Sequence, residues 1–274
     1  MGVIKNVYKI TVKMNTEQKN ILILWVKEAG NQIRKHRHKI TVESMSKVSS
    51  YDYGIPADKE SEKIIFQAIK ETGLDCTIIC EESERIGNEN AKYTIYLDPL
   101  DGSVNFSRGI PAFCIGIAVY KNNTPLLGII YDISMDEFFV AEAGQGVSVN
   151  GNKITPVHFE ANLLINLEWF WAERYEEIVT KLKHQKIRAR TSGSGVLALC
   201  YGCIWRGDGA ILIGNGPWDI APWLVFAQEN WFEAKQSNGK DIDLSLRRQD
   251  IIVAPKEIFE KLMSAINQNM KDIE

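Results

Sequence analysis

Long apolar runs are what this 274-residue chain most clearly lacks. Stretches such as ILILWV at 21–26 fall far short of the ~20 residues that cross a bilayer, so no membrane partner is expected. An excess of charge is lacking too: 32 Lys and Arg against 35 Asp and Glu leave a formal charge of −3. Nothing global then draws the chain to nucleic acid or anionic lipid, and acidic substrates must be attracted locally. Cysteine is sparse and odd in number. Five thiols (Cys76, Cys80, Cys114, Cys200, Cys203) in apolar segments fit a reduced cytoplasmic enzyme better than a disulfide framework. Cys200 and Cys203 form CYGC, but with no second pair and no nearby histidine this reads as buried helix packing before zinc or redox chemistry. The N-terminal MGVIKNVYKITVKMN has no signal-peptide core, so a soluble, cytoplasmic protein is expected. Repeats, low-complexity tracts and flexible linkers are absent as well. The expectation is one unit over 1–274, with approximate halves at 1–155 and 156–274.

What is present is a change of rhythm along the chain. Thr16 reads as the N-cap of a helix over about 17–39, with Ile21, Leu24, Trp25, Glu28 and Gln32 at helical spacing. It ends in RKHRHK, cations that complement a helix C-terminus. A second helix spans about 58–70, with Ile64, Ile65, Ala68 and Ile69 on one face. From 76 onward, short apolar runs (CTIIC, YTIYL, AFCIGIAVY, LLGIIYD, EFFVAEA) alternate with turn signals, the pattern of an antiparallel meander. After 160 strands alternate with helices at RYEEIVTKLK, GVLALCYGCIW, APWLVFAQEN and beyond Pro255. Mixed strands and helices predict a layered α+β or α/β architecture.

The stretch IYLDPLDGSVNF, residues 95–106, carries the chemistry. Asp98 and Asp101 stand three residues apart where a buried strand ends, and two like charges there tolerate each other best with a cation between them. Gly102 permits a tight turn, and a helix starting near Ser103 would aim free N–H groups at the same place. Such a pocket suits a hard divalent cation held by carboxylates, with the Leu100 carbonyl as a further oxygen. ICEESE places Glu81 and Glu82 after a strand, and GPWDIAP places Asp219 just before a helix. Alone, each of these acids has an ordinary reading as a solvated loop residue or a helix cap.

In combination, EES, LDPLDGSVNF and PWDIAP resemble the inositol monophosphatase family of Mg²⁺-dependent, lithium-sensitive phosphatases. The likeness extends to KVSSYDYGIPADKESE, with Lys47, Asp52 and Asp58, and to the meander around FCIGIAVYKNNTPLLGIIYD and AGQGVSVNG. It covers essentially the whole chain. The resemblance implies an αβαβα sandwich of the sugar-phosphatase type and hydrolysis of a small phosphate monoester by metal-activated water. By the same resemblance Glu81, Asp98, the Leu100 carbonyl, Asp101 and Asp219 would hold Mg²⁺, two or three ions per site. Asp58 and Ser103 would orient and deprotonate the water. Gly102, Ser103, Gly193, Ser194 and Asp219 would meet the substrate, Gly193 and Ser194 lying in ARTSGSGVLA, although Ser194 also reads as a plain helix cap. Related activities are fructose-1,6-bisphosphatase, 3′-phosphoadenosine phosphatase and NADP phosphatase. A homodimer is expected, no nucleic-acid partner is, and a regulatory partnership with the transcription machinery is the alternative of another class.

Departures from the family pattern are informative. Ile55 replaces a threonine near Asp58, and WDIAPW and ENW replace glycine-containing segments. Leu212 stands seven residues before Asp219, where members that hydrolyse inositol phosphates carry a glutamate for sugar hydroxyls. From Leu212, inositol 1-phosphate is expected to be a poor substrate beside an ester with an apolar or aromatic face, such as a nucleotide, or one whose second phosphate is held by basic residues.

Overall fold

The computed structural model describes residues 14–36, 46–47, 53–54, 56–154, 162–169 and 174–268. Asp52 and Ile55 lie outside the described residues, as does the side chain of Lys47. The first elements are α1 (Thr16–His36), β1 (Ser46–Lys47), β2 (Tyr53–Gly54) and α2 (Pro56–Glu71). There follow β3 (Cys76–Cys80), β4 (Glu84–Gly87), β5 (Tyr93–Asp101) and the short α3 (Ser103–Arg108). The meander is β6 (Cys114–Lys121), β7 (Thr124–Asp132), β8 (Glu137–Glu142), β9 (Gly146–Val149) and β10 (Asn152–Lys153). Then come β11 (Leu164–Trp169), α4 (Tyr175–His184), β12 (Arg188–Arg190), α5 (Gly195–Cys203) and β13 (Gly209–Asn215). The last are α6 (Pro217–Glu229), β14 (Glu233–Gln236), β15 (Gln249–Ala254) and α7 (Lys256–Asn267).

These elements stack as five layers. Helices α1 and α2 cover one face of an eight-stranded sheet of order β10-β9-β8-β7-β6-β5-β3-β4. Helices α5 and α6 fill the space between that sheet and a five-stranded one of order β12-β11-β13-β15-β14. Helices α4 and α7 close the far face. The central layer explains several sequence features at once. Strands β6 and β13 are buried on both faces, so they read as continuous apolar runs instead of alternating ones. Helices α5 and α6 are apolar nearly all round for the same reason, with Trp223 fully buried between the sheets. Cys200 and Cys203 belong to this core, where burial pushes both thiols up and away from ionisation.

Four local readings need correction. Asn15, not Thr16, caps α1: its Oδ1 accepts from Glu17 N–H at 2.9 Å and its carbonyl accepts from Lys19 N–H. The inward stripe of α1 is Leu22, Val26, Ala29 and Ile33, whereas Leu24 is 67% exposed. ILILWV is apolar all round and fits either phase. The phase is set by close packing at Gly30, where a Cβ would fall 2.3 Å from the Tyr131 ring. Helix α6 begins at Pro217, so Asp219 lies inside its first turn and not before it. Strands β4, β14 and β15 were not foreseen; EAKQ and ERIG are short polar edge segments without an apolar signature.

Candidate active site

Strand β5 runs antiparallel to β6 until its register shifts between Asp98 and Asp101. That irregularity lets both acids face one pocket, because an extra residue interrupts the alternation of a regular strand. Ser61 Oγ pins the loop by donating to the Pro99 carbonyl at 2.7 Å. Gly102 follows with φ of 82°, and a Cβ there would fall 2.6 Å from the Ala112 carbonyl, so only glycine fits. The chain then enters α3 at Ser103. From the other sheet, β13 ends at Asn215 and α6 brings Asp219 into the same space.

One oxygen each of Asp98, Asp101 and Asp219 lie within 4.8 Å of one another. Their pocket, about 430 Å³, is also lined by Asp58, Glu81, Glu82, Leu100, Gly102 and Ser103 on the near wall. Asn105, Glu168, Gly193, Gly195, Asn215 and Arg248 line the rest. Thus every residue expected from the resemblance to act in catalysis, hold metal or meet substrate, except Ser194, lines this pocket, though Glu81 lies outside the tight trio.

The three clustered acids are compensated unequally. Asp101 accepts from the Ser194 hydroxyl, from Val196 N–H at 2.8 Å and from Gly195 N–H at 3.2 Å, which places its charge on the N-terminus of α5. Asp219 accepts from Gly216 N–H at 2.8 Å and more weakly from Asn215 Nδ2 at 3.4 Å. Asp98 is 1% exposed; its Oδ1 accepts from Leu100 N–H at 3.0 Å, while its Oδ2 is buried with no donor. Burial pushes the Asp98 carboxyl well above the usual carboxylate range, and the charges of Glu81, Asp101 and Asp219 push it further. Asp219 is raised by burial and then by Asp101, with Arg248 pulling the other way. Asp101 is raised by burial, but its donors from α5 and Ser194 oppose the rise. Buried carboxylates short of donors are costly unless a cation joins them, and an all-oxygen donor set is the kind a hard divalent ion takes. The residues fit such an ion.

Ser194 departs from its expected place at the substrate. It is the N-cap of α5, is 1% exposed, donates to Asp101 and does not line the pocket. Its neighbours Gly193 and Gly195 form the wall instead. Leu212 is fully buried in the central core and is likewise absent from the wall.

Several lining residues were missed, among them Gly195, Arg248 and three polar side chains. Asn105 belongs to DGSVNF and its Nδ2 donates to the Ala112 carbonyl at 2.8 Å and the Ser192 carbonyl at 2.7 Å, so it ties α3 to the turn before α5. Asn215 reaches the pocket beside Asp219. Glu168, on β11, gave no signal because LINLEW looks like any buried strand. Its Oε1 accepts from Ser192 N–H, from Ser192 Oγ at 2.8 Å and from Gly193 N–H. Burial pushes its carboxyl up to about 7 against these bonds.

Fold and acid pocket together define a phosphoric monoester hydrolase built on the layered α+β sandwich. The chain belongs to the inositol monophosphatase family, whose model matches residues 14–271. It is 35% identical over 215 residues to fructose-1,6-bisphosphatase of Pyrococcus furiosus, covering 76% of this chain and 82% of that protein. It is 31% identical over 217 residues to Nus factor SuhB of Escherichia coli strain K12, covering 77% and 81%. Among solved structures, the extragenic suppressor protein suhB of Bartonella henselae superimposes with a TM-score of 0.85 at 25% identity, over 93% of this chain and 100% of that one.

Proposed function

We propose that this protein hydrolyses a small sugar or polyol phosphate monoester and depends on Mg²⁺ to do so. The observation that carries the reading is the trio Asp98, Asp101 and Asp219, close together around a buried Asp98 oxygen without a donor. Asp98, Asp101 and Asp219, with Glu81 and the Leu100 carbonyl, hold the metal. Bound there, Mg²⁺ supplies a Lewis acid for the phosphoryl oxygens and favours ionisation of water. Asp58, in the first turn of α2, and Ser103, at the start of α3, orient the attacking water and accept its proton. The backbone at Gly102 and Ser103, where β5 turns into α3 on the pocket wall, receives the ester's phosphate end.

The same reading includes inhibition by lithium, a cytoplasmic location, a homodimer and two or three ions per site. Phosphate release is to be measured with Mg²⁺, with chelator and with Li⁺ over a panel of inositol 1-phosphate, fructose 1,6-bisphosphate, 3′-phosphoadenosine 5′-phosphate and NADP. Release from at least one ester, abolished by chelator, is expected; equal release with and without chelator refutes the metal. A regulatory role is the second reading, favoured by the similarity to a Nus factor. The unbroken acid set supports catalysis first.

A further inference from the structure

The far wall of the pocket holds a carboxylate that the metal cluster does not use. Glu168 is 6% exposed yet lines the pocket, and it stands apart from the trio of acids within 4.8 Å. Strands β11 and β13 run parallel with Glu168 opposite Leu212, so the two residues occupy one register position on adjacent strands. Leu212 is packed into the core. Glu168 puts a polar group at the pocket from the neighbouring strand.

The two oxygens of Glu168 are used unequally. Oε1 takes both Ser192 donors and shares Gly193 N–H, whereas Oε2 receives only that shared N–H, at 3.1 Å. A carboxylate has about four acceptor positions, so Oε2 retains acceptor capacity while Oε1 is anchored. Beside it the wall is Gly193 and Gly195, whose lack of side chains lets the Asn105 and Asn215 amides pack close and line the same pocket. Asn105, held between the Ala112 and Ser192 carbonyls, fixes the same turn from the opposite wall. An anchored acceptor in a pocket already rich in acids repels a phosphate group. What it accepts is a neutral donor.

We infer that Glu168 is the specificity-determining residue for the alcohol half of the ester: its Oε2 accepts a hydrogen bond from a substrate hydroxyl other than the one bearing phosphate. This rests on the phosphatase reading above, and it reverses the expectation drawn from Leu212 alone. A site that hydrogen-bonds a hydroxyl rejects the analogue lacking it far more strongly than an apolar pocket rejects an added one.

The test compares inositol 1-phosphate with cyclohexyl phosphate, the same ring without free hydroxyls, in Mg²⁺ with the full chain. Wild type is expected to favour inositol 1-phosphate in kcat/KM by roughly 10- to 100-fold. Glu168→Gln keeps an acceptor for the Ser192–Gly193 turn but presents a donor to the pocket. It should shrink that ratio about tenfold, chiefly through KM for inositol 1-phosphate. Ser192→Ala, which loosens the turn and leaves the carboxylate in place, should lower both esters together and keep the ratio. A wild-type ratio near one, or a ratio that Glu168→Gln leaves unchanged, overturns the inference while the phosphatase reading stands. Phosphate release from no ester of the wider panel defeats that reading, and the inference with it.

Discussion

Asp98 and Glu168 face the same pocket from different sheets, and their surroundings differ in kind. Asp98, at the bulge of β5, has one backbone donor and three neighbouring acids that raise its pKa. Glu168, on β11, has a hydroxyl and two backbone N–H groups pointed at it. Both are buried to a similar degree, so burial alone does not distinguish them. The difference lies in the donors: the chain aims three at Glu168, though burial still raises its carboxyl to about 7, and one at Asp98. On the proposed function a cation completes the Asp98 wall, while Glu168 faces an uncharged group.

Removing the charge from the incomplete wall should have the largest effect. Asp98→Asn is expected to lower kcat/KM on the order of 10³-fold at saturating Mg²⁺, since a metal's contribution to the transition state is several kcal/mol. In chelator at pH 8 the same variant should melt higher than wild type by roughly 2–4 °C, for about 1 kcal/mol of relieved repulsion. A slower enzyme with a lower melting point would make Asp98 a structural residue and erase the contrast.

Cutting the tie between the walls should do less. Asn105→Ala leaves the Ala112 and Ser192 carbonyls without their donor, which costs about 1–3 kcal/mol. Turnover should fall about tenfold, because small misplacements of a catalytic wall are felt in rate. Wild-type activity in a destabilised variant would mean that the two walls hold their positions independently.

The mildest probe is pH. Asp98 and Asp219 have folded pKa values above those of the unfolded chain, so the folded protein binds more protons between about pH 4 and the raised values. Stability from this source is fully present below the unfolded pKa and is lost as pH rises. In chelator the melting point should fall by a few degrees from pH 5 to pH 8, and added Mg²⁺ should raise it more at pH 8 than at pH 5. A flat profile in chelator would show that the acids are compensated by the protein after all.

The two walls were also unequally legible in the sequence. Asp98, Leu100, Asp101, Gly102 and Ser103 are contiguous, so a bulge and a turn bring them together and local chemistry exposes them. A layered mix of strands and helices follows from the order of apolar runs, and the five-layer arrangement from the family resemblance. Glu168 and Leu212, by contrast, are neighbours only through the pairing of β11 with β13, and Asp219 joins Asp98 only through the packing of α6 between two sheets. A position that is apolar on one strand can have a polar neighbour on the next, which a reading of Leu212 alone does not register. Ser194 shows the opposite failure: its hydroxyl reaches the acids but is taken by Asp101 and the cap of α5. The phase of α1 was hidden because six consecutive apolar residues leave the helix face undetermined until Gly30 meets Tyr131.

The most direct measurement is calorimetric titration of chelator-stripped protein with Mg²⁺ at pH 7.5, for wild type and Asp98→Asn, which needs no knowledge of the substrate. Saturable binding with proton release in wild type, lost or greatly weakened in the variant while its fold persists, is the expected result. Absence of binding in wild type, or identical binding in both proteins, would contradict the assignment of the Asp98, Asp101 and Asp219 cluster as the metal site.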